Sequence, residues 1–145
     1  MAKFKACVAV YGVLERDGEM LMLRRKGSGY RDGQLSLPAG HLDGDEDAVS
    51  GLIRELNEEL CLTVRRQDVE LAKVLHRRRE SAQDDEYVDL IFRVSAWEGE
   101  PQIGEPDKCG ELVWVNPTAL PADVVDYIRQ ALNTTTNFAA LGWQQ

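Results

Sequence analysis

Residues 46–60 limit the possible folds of this chain more than any other stretch. At about 100° per residue, Val49, Leu52, Ile53, Leu56 and Leu60 share one stripe, spaced i, i+3, i+4, i+7 and i+11. The spacing predicts an amphipathic helix that turns this stripe toward a core. Glu55, Glu58 and Glu59 fall together on a different arc. A solvated acidic face is the ordinary explanation for such an arc, and three features weigh against it. Like charges three and four residues apart repel by a few tenths of a kcal/mol per pair, roughly. The carboxylates also occupy the last turns, where the helix dipole disfavours anions. Arg54 is the one cation placed to relieve them, reaching Glu58 at i+4. Conflict between local rules and a clustered set of residues is typical of a functional site. Oxygen ligands on one rigid face, without nearby Cys or His, suit a hard cation such as Mg²⁺.

The segment before the helix supports that view. In Ser36-Leu37-Pro38-Ala39-Gly40-His41, Gly40 allows the backbone to pass close to whatever the carboxylates bind. An EF-hand beginning at Asp43 fails on spacing, because its sixth position is Ala48 and its twelfth is Arg54. Asp43, Asp45, Glu46 and Asp47 are better placed to cap the helix N-terminus.

Gly40, five residues, Glu46, seven residues, and then Arg54-Glu55-Leu56-Asn57-Glu58-Glu59-Leu60-Cys61-Leu62 resemble the Nudix box. Every defining position matches except one, where Cys61 replaces a glycine. The Leu37-Pro38-Ala39-Gly40 lead-in and the turn Trp97-Glu98-Gly99-Glu100-Pro101 extend the resemblance more weakly. It implies an α/β/α sandwich with a mixed β-sheet, and hydrolysis of a nucleoside diphosphate linked to another group. It also implies that Glu55, Glu58 and Glu59 hold divalent cations, with Mg²⁺ expected and Mn²⁺ an alternative, and that the Ala39 carbonyl adds a ligand. Arg54 matches a position that steadies a catalytic carboxylate, and Glu46 one that pairs with the arginine. By position, Glu105 resembles a distal carboxylate that some MutT-like enzymes bring to the metal or the water; a solvated loop acid is the alternative. Cys61 is expected to be structural rather than a nucleophile.

The rest of the chain fits one α/β domain over residues 1–145, with the tail from about 134 unassigned. Strands are expected over 4–14 and 19–25, joined by an Asp17-Gly18 turn. Further strands fit 69–77, 87–96 and 111–115, and a glycine-rich loop fits 27–44. Pro117 is placed to open a last helix to about Leu132. Phe138, Leu141 and Trp143 are candidates to pack back onto the body. Cys7, Cys61 and Cys109 form no CxxC pair and are not spaced with His41 or His76 as zinc ligands. Reduced thiols and a cytoplasmic location are the default. The net charge of −8 speaks against a nucleic-acid polymer as partner, and no apolar run is long enough to span a membrane. An anionic substrate would then need a cation between it and the protein.

A chain of this length resembles the MutT-like group, which splits nucleoside triphosphates to monophosphate and pyrophosphate. Flanking motifs for ADP-ribose, NADH, coenzyme A or dinucleoside polyphosphates are not evident. Arg25, at the end of the second strand, is the preferred phosphate contact from Arg24-Arg25-Lys26, a run that also fits a solvated surface. Asp123 or Asp126 would reach a base edge, or else cap a helix, and oxidised dGTP is one candidate substrate. A non-catalytic nucleotide sensor is the alternative from another class, and retention of every box carboxylate opposes it. A monomer and a homodimer are equally compatible with the sequence.

Overall fold

The computed structural model describes residues 2–143. β1 (Cys7–Arg16) and β2 (Glu19–Arg25) form the expected hairpin. Asp17 and Gly18 both take positive φ, 55° and 79°, so the two-residue turn matches the twist of its strands. β1 is buried on both faces. Ala9, Tyr11 and Val13 enter one core while Val10 and Leu14 enter the other. β2 alternates likewise, with Met20 and Met22 on the first side and Leu21 and Leu23 on the second. Period-two side chains thus build two cores from one sheet.

The helix α1 (Ala48–Leu60) covers the second face through Leu52, Leu56 and Leu60, all fully buried. Val49 and Ile53 flank this contact and are half-buried. The helix begins two residues later than its apolar pattern suggested. Asp47 is extended and accepts from Ser50 N at 3.1 Å, which leaves Glu46 outside the helix. A short helical turn at Arg66–Asp68 leads into β5 (Val69–Arg77), which pairs antiparallel with β6 (Tyr87–Val94). β6 runs parallel to β1, and β7 (Cys109–Val115) pairs antiparallel with β2.

Three regions depart from the pattern expected of the sequence. The glycine-rich loop contains two short strands, β3 (Leu35–Ser36) on β2 and β4 (Ala39–His41) on β1. Pro117 does not open the last helix, since α2 spans Asp126–Asn133. Residues 123–125 are instead tied to Leu35: Leu35 N donates to Asp123 O and Val125 N to Leu35 O, each at 2.9 Å. That pairing holds the segment extended and delays the helix. Finally, β8 (Phe138–Leu141) adds a parallel strand beside β5. Within it Leu141 packs on the core, whereas Phe138 is 56% exposed. Trp143 lies against His76 and donates to its carbonyl at 3.2 Å.

The result is one mixed sheet, in the order β3-β2-β1-β6-β5-β8 with β4 and β7 branching from it, between α1 and α2. This is the expected α/β/α sandwich. Among the described residues, no helix is long and apolar enough to cross a membrane.

Candidate active site

β4 lies on one side of β1 and faces α1. Gly12 N donates to Pro38 O and Leu42 N to Val8 O, while Ala39 N turns the other way, to Glu59 Oε1 at 3.0 Å. The N–H and C=O of a strand residue point to the same side, so the Ala39 carbonyl also faces the helix carboxylates. Gly40 is tighter still. A Cβ built there would overlap the Glu55 carboxyl group. Close approach therefore requires glycine at that position.

Arg54 organises the acids from behind. Its Nε and Nη2 donate to the two oxygens of Glu46 at 3.1 and 2.8 Å, and its Nη1 to Glu55 Oε1 at 2.9 Å. Glu58, the i+4 partner expected for Arg54, is farther away at 3.5 Å and 47% exposed. The bidentate bond to Glu46 fixes the guanidinium plane, and this in turn aims Glu55.

Burial pushes the Glu55 carboxyl up, and the charges of Glu58 and Glu105 add to the effect. Glu59 is pushed up to about 8 by burial first and by the nearby charges of Glu55 and Glu105. Glu105 arrives from a distant loop because of Gly104. Gly104 N donates to Glu59 O at 2.9 Å, and a Cβ at 104 would overlap the Glu58 carbonyl oxygen. The loop therefore docks on the C-terminus of α1, occupies a free carbonyl there and delivers the next residue to the site.

Among the described residues, no three acidic, imidazole or thiol groups are gathered into a finished cation cage. The donor chemistry nevertheless fits a hard divalent ion. Partly desolvated carboxylates repel one another here, a strand carbonyl faces them, and no soft ligand competes.

A cleft of about 610 Å³ opens over these groups. Ala39, Gly40, Glu55, Glu59, Glu105 and Arg25 all line it, with Lys26 and Lys108 beside them. Arg25 is braced by its own loop, donating Nε to Tyr30 O at 2.9 Å. Glu58 and Arg54 flank the cleft without lining it. Asp126 is also outside it: its carboxylate accepts from Tyr127 N at 2.8 Å and pairs with Arg31 at 3.3 Å. Asp123 is committed to Arg24 at 2.7 Å. Tyr127, the neighbour of Asp126, faces the cleft in its place.

The NUDIX domain model matches residues 3–134. This chain belongs to the NUDIX family. It is 28% identical over 120 residues to the 8-oxo-dGTP diphosphatase of Escherichia coli (strain K12), covering 81% of this chain and 88% of that protein. A shorter similarity, 34% over 55 residues, links it to the ADP-ribose pyrophosphatase of Methanocaldococcus jannaschii, over 38% of this chain and 32% of that protein. The MutT NUDIX hydrolase of Burkholderia pseudomallei superposes with a TM-score of 0.79 at 28% identity, covering 92% of this chain and all of that one. The protein is a MutT-like Nudix pyrophosphohydrolase. Nudix hydrolases act on nucleotides and use divalent metal.

Several cleft residues carried no signal in the Nudix box, among them Tyr11, His41, Arg77, Tyr87 and Lys108. One clue was available. Asp89 stands between apolar neighbours, Val88 and Leu90, in β6, and in the fold it is 0% exposed, a position that demands a buried cationic partner.

Proposed function

We propose that this protein hydrolyses a nucleoside triphosphate to the monophosphate and pyrophosphate with Mg²⁺, which Mn²⁺ can replace. We place its work in the cytoplasm, on free nucleotides rather than nucleic-acid polymers or membranes, as a monomer or homodimer. One observation carries the proposal: Glu55, Glu59, Glu105 and the Ala39–Gly40 strand share a cleft whose rim holds Arg25, Lys26 and Lys108.

Glu55, Glu58, Glu59 and the Ala39 carbonyl would hold the metal. When bound, the metal neutralises charge on phosphoryl oxygens and makes a nearby water more acidic. The remaining work falls to the chain. Arg25 leads the cationic rim in binding phosphate oxygens. Arg54, itself fixed by Glu46, keeps Glu55 in place. Glu105 accepts a proton from the attacking water as the new P–O bond forms and the anhydride bond breaks. Gly40 lets the backbone approach without obstruction.

The test is a panel of common nucleoside triphosphates, 8-oxo-dGTP and ADP-ribose, incubated with purified protein and Mg²⁺ and resolved by ion exchange. Monophosphate and pyrophosphate in equal amounts are expected from a triphosphate. Orthophosphate as the sole small product, or cleavage of ADP-ribose alone, would overturn the proposal.

A further inference from the structure

Ahead of β1 the chain leaves an aromatic side chain mostly in water. Phe4 is 71% exposed, and Lys3 and Lys5 on either side of it are exposed too. Neither lysine makes an ion pair among the described residues. Phe4, Ala6 and Val8 are spaced by two, so an extended chain turns all three to the same side. A free ring between two free cations, in a chain of net charge −8, calls for a receptor that is apolar at its floor and acidic at its rim.

Such a receptor lies at the base of the same segment. A shallow concavity of about 590 Å³ is lined by residues 6–8 at the start of β1 and by the chain that leaves β4, residues 41–44 with Glu46. Its apolar part comes from Ala6, Val8 and Leu42, all half-buried. Its rim is acidic. Glu46 is taken up by Arg54, but Asp43 meets that arginine through one oxygen at 3.3 Å and keeps 73% of its side chain in solvent. Asp45, next along the chain from Gly44, is exposed as well. The concavity shares His41 with the nucleotide cleft but none of that cleft's carboxylates.

Phe4 cannot fill this groove in its own chain. Lys5 alone separates it from Ala6, a residue of the groove itself, and reversing a chain takes four residues. The same segment of a second copy meets no such restriction. Laid antiparallel to the first, it sets each Phe4 against residues 6–8 of its neighbour and brings each pair of lysines to the neighbour's Asp43 and Asp45. One contact then generates its twin, the self-complementary arrangement that a two-fold axis demands.

We propose that this protein forms a symmetric homodimer by exchange of residues 2–5, with Phe4 of each copy seated between Val8 and Leu42 of the second and with Lys3 and Lys5 paired to its Asp43 and Asp45. The proposal selects the dimer from the two assembly states named above and does not depend on the hydrolytic chemistry. Its test reads mass rather than turnover, so the two fail separately.

Sedimentation velocity on the full chain, over a series of protein concentrations, measures the assembly. Wild type should show a reversible monomer–dimer equilibrium. Phe4→Asp should weaken it by about 10²-fold or more, since two buried rings are lost and each contributes about tenfold or more in affinity. Lys3→Glu/Lys5→Glu and Asp43→Lys/Asp45→Lys should each be monomeric alone and dimerise when mixed, because both contacts of the mixed pair then join opposite charges. Circular dichroism checks the fold of every variant. Should the Asp43→Lys/Asp45→Lys protein not fold, Phe4→Asp decides alone, its side chain being exposed in the single chain. A wild type that stays monomeric at about 0.1 mM, where even a weak specific dimer assembles, would overturn the proposal. So would a dimer indifferent to Phe4→Asp, or two folded charge-reversed proteins that remain monomeric on mixing.

Discussion

Gly40 lies so close to Glu55 that no side chain fits between them. Gly40→Ala would push Glu55 away from Arg54 and shift β4. A displacement of that kind costs about 10²-fold in turnover when the groups are catalytic. Overpacking should also cost about 1–3 kcal/mol of stability. Steady-state kinetics and a melting curve check both, and wild-type turnover in Gly40→Ala would show that this contact does not position a catalytic group.

The raised Glu59 carboxyl predicts an unusual pH profile for stability without metal. Its folded value of about 8 lies above the ordinary value of 4.5, so the folded state holds its proton more tightly. That contribution is complete below pH 4.5 and declines as pH rises toward 8, because only the unfolded chain has then released the proton. Glu55 is shifted in the same direction. Melting curves in EDTA should fall across this window, and Glu59→Gln should flatten them. A wild-type midpoint that rises steadily from pH 5 to 8 would contradict the burial of Glu59.

Glu58→Gln tests the exposed member of the acidic face. The variant keeps the shape and removes one charged oxygen. Losing several kcal/mol of charge stabilisation corresponds to about 10³-fold or more in metal-dependent turnover. Stability without metal should hold or rise slightly as repulsion with Glu55 is relieved. Activity within tenfold of wild type would exclude Glu58 from the metal site.

Cys61 ends α1 with φ 60° and ψ 32°, and its N–H bonds to Asn57 O at 3.0 Å. This left-handed conformation costs a residue with a Cβ about 1–2 kcal/mol. Cys61→Gly should therefore raise the melting midpoint by roughly 2–5 °C or leave it unchanged. Turnover should be unaffected, and a folded but inactive Cys61→Gly protein would give the thiol a chemical role after all.

Glu105→Gln addresses the loop that Gly104 anchors to the helix. Its kcat should fall by about 10²-fold, the scale of lost acid–base assistance, with little change in melting midpoint. In saturating Mg²⁺ the acidic limb of the pH–rate profile should disappear as well, and its persistence would make Glu105 a ligand rather than the base. Undiminished turnover would return Glu105 to the solvent-facing surface.

Local physics made the central helix, its apolar stripe and the β1–β2 hairpin legible from the sequence. An apolar residue every three or four positions finds one face, and Asp17-Gly18 supplies the positive φ that the turn demands. The acidic arc was legible for the same reason, because Glu55, Glu58 and Glu59 are neighbours on one helix. Resemblance to the Nudix box then suggested what that arc is for. Other features depend on residues far apart in the chain. Leu35 holds 123–125 extended and so sets where α2 begins, β5 recruits the tail as β8, and Gly104 brings Glu105 to Glu59. No helical or strand period records such pairings, since each is selected by the backbone groups left unsatisfied on another element. Arg77 stands in a run of three arginines, Arg77-Arg78-Arg79, and Asp89 between Val88 and Leu90, and neither setting names the other as its partner. Folding β5 against β6 decided that they neutralise each other at the floor of the cleft, because a charge leaves water at tolerable cost only beside its counter-charge.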